Sequence, residues 1–179
     1  MNHNSTFTIN TQRIKENINH ILKHLNHKTK MIPVLKADAY GHGLPQIAKL
    51  FEDYIEVEHL AVAQVSEALT LINQNTTKRI MLLCGITDDQ IDTVIKHNIE
   101  PLIHDLASFH ALDQKLKEKN IKHYPVHLKI NTGLNRLGFW PDEDLDTLIP
   151  LLKDTDSFNI ISTYSHFIEG AKKDSEISH

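Results

Sequence analysis

Residues 31–55 read MIPVLKADAYGHGLPQIAKLFEDYI. An apolar run ends on Lys36, a glycine-punctuated turn follows, and a helical period begins. MIPVLK has the composition of a strand. After the GHG turn, Leu44, Ile47, Ala48, Phe51 and Ile55 recur at helical spacing, and Pro45 suits a first helical turn. A strand, a tight turn and a helix in immediate succession form the repeating unit of a parallel α/β protein.

The same unit recurs along the chain. A helix is predicted over 11–26, with Ile14, Ile18, Ile21, Leu22 and Leu25 as its apolar stripe. HLAVA (59–63) reads as a strand and SEALTLIN (66–73) as a helix with Ser66 as its cap. RIMLLCG (79–85) reads as a buried strand, and Thr87 with Gln90 forms a capping box for a helix carrying Ile91, Val94 and Ile95. IEPLI (99–103) is a weaker strand because Pro101 lies within it. DLASFHALDQKLKEKN (105–120) is a helix, YPVHLKI (124–130) a strand, PDEDLDTLIPLLKD (141–154) a helix, and NIISTYSHF (159–167) a last strand. The helix over 141–154 would bury Leu145, Leu148, Ile149 and Leu152. This makes about six strands separated by helices, which suits either an open doubly wound sheet or a (β/α)8 barrel.

Composition removes several classes. The chain has 179 residues, 40% hydrophobic and 23% charged, with a formal net charge of -4. These are ordinary globular proportions, with no electrostatic footprint for nucleic acid or an anionic membrane. The single cysteine, Cys84, excludes a disulfide framework, and a reducing cytoplasm is the natural compartment. No apolar run reaches membrane-spanning length, and the N-terminus lacks the blocks of a signal peptide. The 13 histidines show no HExxH pattern, so no metal site is expected and most are read as solvated.

Three clusters carry candidate chemistry, each at the C-terminal end of a strand, where parallel α/β folds bind ligands. The first is VLKADAYGHG (34–43). A lysine drawn partly out of water can act as a nucleophile toward a carbonyl. The competing reading is a salt-bridged or snorkelling surface lysine. The second is VHLKINTGLNRLGFW (126–140). Here Val126, Leu128 and Ile130 share one strand face, His127, Lys129 and Asn131 the other, and the turn delivers Arg136, whose guanidinium suits an oxyanion. The third is STYSHF (162–167), which places His166 just past a strand; alone, it is as readily structural.

Together these clusters resemble the alanine racemase family. VLKADAYGHG is similar to its cofactor-lysine string, valine–lysine–alanine–(asparagine or aspartate)–alanine–tyrosine–glycine–histidine–glycine. HLKINTGLNRLGF is similar to its lysine–x–aspartate–threonine–glycine–methionine–x–arginine–leucine–glycine motif, and YSHF to its threonine–histidine–phenylalanine segment. The resemblance implies a (β/α)8 barrel, of which residues 1–179 would supply about six of eight strand–helix units. The chain would then be a truncated N-terminal barrel domain, without the family's C-terminal β-domain.

The resemblance further implies a pyridoxal 5'-phosphate-dependent isomerase interconverting L- and D-alanine, supplying D-alanine for bacterial cell wall. Lys36 would hold the cofactor covalently and act as one catalytic base. Tyr40 would bind the cofactor phosphate. Arg136 would contact the phenolic oxygen of the cofactor and the substrate carboxylate, and His166 would stack on its ring. Lys129 matches a position that is carbamylated in some members. The family works as a homodimer whose partner subunit supplies a second base. Asn131 stands where the family has aspartate, Leu134 where it has methionine, Ser165 where it has threonine, and IEGAKKD after His166 departs from the family's small-residue run. A chain of this extent would be weakly active or inactive alone. The alternatives are a non-catalytic pyridoxal phosphate-binding barrel and a non-functional remnant.

Overall fold

The computed structural model describes residues 6–26 and 28–168. The chain forms two compact units, Met1–Ile80 and Met81–His179, and each is α/β.

In the first unit, α1 (Thr11–His24) is capped by the Asn10 side chain, which accepts from the Arg13 N–H. Of its predicted stripe only Ile18 is fully buried, while Ile21 is exposed. The predicted strand over 31–36 shrinks to one parallel bridge, Val34 with Ala61. Leu35 N–H donates to Ala61 O and Ala61 N–H to Pro33 O, at 2.7 and 2.9 Å. Pro33 has no N–H to extend the ladder, and at Leu35, with φ -113° and ψ 17°, the backbone leaves the β region. Residues Lys36–Gly41 (α2) wind left-handed, with φ of 54, 55, 52 and 56° at Ala37, Asp38, Ala39 and Tyr40.

The helix predicted over 44–55 is α3, Leu44–Lys49, after which the chain tightens into i→i+3 turns. Phe51 stays buried, but Ile55 is 80% exposed and does not belong to the apolar face. β1 (His59–Val62) is buried throughout and pairs with β2 (Arg79–Leu82). Between them runs α4 (Val65–Asn73). Its cap is Gln64 rather than Ser66, with Glu67 completing a capping box. Ser66 falls inside the first turn and is exposed.

In the second unit, Thr87 and Gln90 form the predicted capping box of α5 (Asp88–Lys96), and Ile91, Val94 and Ile95 are buried. β3 (Leu102–Ile103), β4 (Tyr124–Lys129) and β5 (Phe158–Tyr164) form a parallel sheet in that order. α6 (Leu106–Glu118) and α7 (Leu145–Asp154) follow β3 and β4. Pro101 confines β3 to two residues, although Glu100 still bridges Met81 in parallel. Phe109 of α6 meets Phe158 of β5 edge to face at 5.1 Å. In α7, Leu148 is buried while Ile149 is exposed.

β4 is buried on both faces, as a central parallel strand is. Its polar face therefore needs partners. His127, only 1% exposed, lies with Nε2 2.8 Å from Glu100 Oε2 and Nδ1 2.8 Å from Ser162 Oγ. Histidines in this chain are thus not all solvated: His59 and His127 are buried. The Tyr124 hydroxyl lies 2.9 Å from the carbonyls of both Val94 and Ile99. Burial, with Glu100 adding to it, pushes its pKa upward.

Candidate active site

Lys36 ends the short segment that pairs with β1 and is half-buried. Among the described residues its ammonium group has no hydrogen-bond or ion-pair partner. Its backbone context is unusual. Left-handed helical conformation costs an L-residue about 1–2 kcal/mol, and here four consecutive non-glycine residues adopt it. Such a turn persists only if its surroundings over-determine it.

Several contacts do so. Ala39 N–H donates to Leu35 O at 2.9 Å, and Gly43 N–H to Asp38 O at 2.9 Å. The Asp38 carboxylate accepts from Leu44 N–H at 2.6 Å, tying the turn to the start of α3. His42 Nδ1 lies 2.9 Å from Ala39 O. Glu67 Oε1 accepts from Ala37 N–H at 2.6 Å, across 30 residues of sequence. Much of ADAYGHG therefore serves to hold the backbone that carries Lys36. Tyr40 projects from the same turn and is 59% exposed.

In the second unit, β4, β5 and the loop after each bring Lys129, Arg136 and His166 to the rim of one cleft, with Asn131 and Ser165. Its enclosed volume is about 10 Å³, room for about one water. Lys129 is buried, and its ammonium group lies 4.3 Å from the centroid of the Tyr164 ring. Burial, with the charge of Arg136 added, holds its pKa below the usual lysine range. Neither Lys129 nor Arg136 has a carboxylate partner among the described residues.

Asn131 accounts for one of the departures from the motif. Its Oδ1 accepts from Gly133 N–H and Asn135 N–H, both at 3.1 Å, and so folds the TGLN turn. A carboxylate oxygen could accept the same two bonds, so asparagine keeps the turn without the charge, and its Nδ2 adds a donor 3.4 Å from Asn135 Oδ1. The chain then returns to β4: Phe139 N–H donates to Lys129 O at 2.9 Å and Asn131 N–H to Phe139 O at 2.8 Å.

A larger cavity in this unit, about 270 Å³, is lined by Asp88, His104, Asp105 and Ser108 among apolar side chains. It carries no lysine or arginine, and the Asp105 carboxylate already caps α6. It does not suit a phosphate. Sequence reasoning missed Glu67, whose partner is remote in sequence, and Tyr164, whose ring position depends on the β4–β5 pairing. A glutamate three residues after the Gln64 cap was the only signal for the former.

Residues 9–179 match the family described as alanine racemase, N-terminal domain. The chain belongs to the alanine racemase family. An alanine racemase from Methanococcus maripaludis is 31% identical over 166 residues, covering 93% of this chain and 44% of the relative. The alanine racemase of Clostridium difficile 630 superposes with a TM-score of 0.83 at 30% identity, over 90% of this chain and 42% of that one. The Bartonella henselae alanine racemase, whose structure carries covalently bound pyridoxal phosphate, gives a TM-score of 0.84 at 26% identity, over 94% and 48%. The chain thus spans 44% of the Methanococcus alanine racemase, less than half its length.

Proposed function

We propose that this chain supplies the N-terminal part of the cofactor-binding barrel of an alanine racemase, with Lys36 as the residue that carries pyridoxal phosphate. The observation that carries the reading is the state of Lys36: a half-buried ammonium group at a strand end, without a partner among the described residues, on a turn held by side chains from elsewhere. When bound, the cofactor supplies an electron sink that acidifies the Cα proton of an amino acid. The donor set suits it: the Lys36 amine for its carbonyl, the Tyr40 hydroxyl for its phosphate, and Arg136 for anionic oxygens. The Arg136–His166 cleft by itself encloses too little space for a pyridine ring.

In this reading Lys36 Nζ moves the proton at the substrate Cα, Arg136 orients the substrate carboxylate, and His166 stacks on the ring. Lys129 would be carbamylated. Its lowered pKa favours the neutral amine that reacts with carbon dioxide, and the resulting anion would face Arg136 in place of a second cation. Alanine is the proposed substrate, a homodimer the proposed assembly and the cytoplasm the proposed compartment; no described helix is long and apolar enough to cross a membrane.

The extent of the match supports a further point. Racemisation needs an acid on the face opposite Lys36, which the family resemblance assigns to a C-terminal domain. We therefore expect residues 1–179 tested by themselves to bind the cofactor and to racemise alanine at no more than a trace rate. Incubation with pyridoxal phosphate, borohydride reduction and peptide mapping test the site. One stoichiometric adduct on Lys36, absent from Lys36→Ala, is expected; labelling scattered over surface lysines and unchanged in the variant would favour the remnant reading.

A further inference from the structure

We propose that Glu67 is a positioning residue for Lys36, its carboxylate fixing the peptide that follows the lysine in the left-handed conformation that aims the ammonium group. The inference rests on Lys36 being the working amine, and it concerns a residue outside the family motifs quoted above.

The carboxylate of Glu67 is engaged at both oxygens. Oε2 accepts from Ala63 N–H at 2.8 Å and from Gln64 N–H at 3.1 Å. Those bonds alone complete the cap of α4, which needs nothing more from Glu67. Oε1 does something that capping does not require: it accepts from Ala37 N–H at 2.6 Å. Ala37 is the first residue of the left-handed run and the immediate neighbour of Lys36. Alanine has no intrinsic preference for this conformation, and an N–H left without a partner there would favour return to the β region.

The helix start thus acts as an anchor. Oε2 is pinned by two backbone donors, the side chain cannot swing, and Oε1 is presented at a fixed place to Ala37. Asp38 and His42 hold the later part of the turn, but Glu67 holds its first peptide. Glutamine cannot replace this arrangement. It offers one accepting oxygen and one NH2 group, so either Ala37 or the pair Ala63 and Gln64 would face a donor.

The test compares wild type, Glu67→Gln, Glu67→Asp and the double variant Glu67→Gln/Ala37→Gly. Two readouts need no cofactor: hydrogen exchange of the 37–41 amides against those of α4, and the pH profile of Lys36 acetylation against that of Lys49. In Glu67→Gln we expect exchange at 37–41 to rise at least tenfold, with α4 still protected, and the Lys36 profile to move while that of Lys49 does not. Glycine at 37 tolerates positive φ and should restore much of the Lys36 profile. If Glu67→Gln does not fold, Glu67→Asp, with a carboxylate one methylene shorter, should show the same selective effect. Unchanged exchange and an unchanged Lys36 profile in a folded variant would overturn the proposal, as would equal loosening of the turn and α4 with no rescue by Ala37→Gly. Borohydride reduction of the same samples with pyridoxal phosphate separates the two claims. A wild type without a Lys36 adduct sinks the cofactor assignment, while exchange and acetylation still decide the role of Glu67.

Discussion

Lys129 lies on the buried polar side of β4, close to the Tyr164 ring and under the influence of the Arg136 charge. Burial is the larger cause and Arg136 the smaller, and both favour the neutral amine, so its folded pKa lies below the value of about 10.4 that it takes in an unfolded chain. Between these two values the unfolded state binds more protons, and linkage makes stability rise with pH across that window. Below the folded value the charged amine destabilises the fold by a constant amount. In carbon dioxide-free buffer, Lys129→Met should therefore raise the urea midpoint at pH 7 and remove this part of the rise toward pH 10. A lower midpoint at pH 7 with the rise intact would mean that the ammonium group is stabilised by its surroundings. The lysine itself stood out in the sequence as a polar residue on a strand with apolar flanks; its loss of proton affinity needed the packing around it.

At the level of elements, the segment after β4 shows how a turn is dictated by the backbone it must approach. Gly138 has φ of 119°, and a Cβ there would lie 2.8 Å from Asn131 N and 2.9 Å from Lys129 O. Those atoms belong to the paired end of β4 and cannot move aside as a flexible side chain would. Gly41 also has positive φ, 79°, but a Cβ there would meet nothing within 4 Å. Gly41→Ala should thus cost about 1–2 kcal/mol for conformation alone. Gly138→Ala should cost distinctly more, because overlap with backbone adds to conformational strain of about 1–3 kcal/mol. Paired urea titrations measure the difference; equal losses would mean that the β4 return is softer than its geometry implies. The glycines were visible in the motif, as were most helices and strands, because hydrophobic period and capping residues are local signals. The left-handed run at 37–40 was not visible. Alanine and tyrosine carry no signature for it, and what holds it includes a carboxylate 30 residues away.

On the scale of the whole molecule, the sequence supported parallel α/β alternation and the meeting of Lys129, Arg136 and His166, because each lies at or just past the end of β4 or β5. It could not say what covers the last strand. Among the described residues β5 pairs on one side only, with β4, and its exposure is uneven: Asn159, Ile160 and Thr163 are exposed. A parallel strand with an open row of backbone donors and acceptors and an exposed isoleucine is a template for pairing with another chain. The purified chain should therefore self-associate as its concentration rises, in a manner that a charge on the strand suppresses. Sedimentation velocity over a concentration series should show a growing average mass for the wild type and a constant one for Ile160→Lys. If both stay monomeric, the β5 edge is already protected, and the solubility of the chain does not depend on a covering strand. If both associate alike, the contact lies elsewhere on the surface, and the exposed edge is not what drives it.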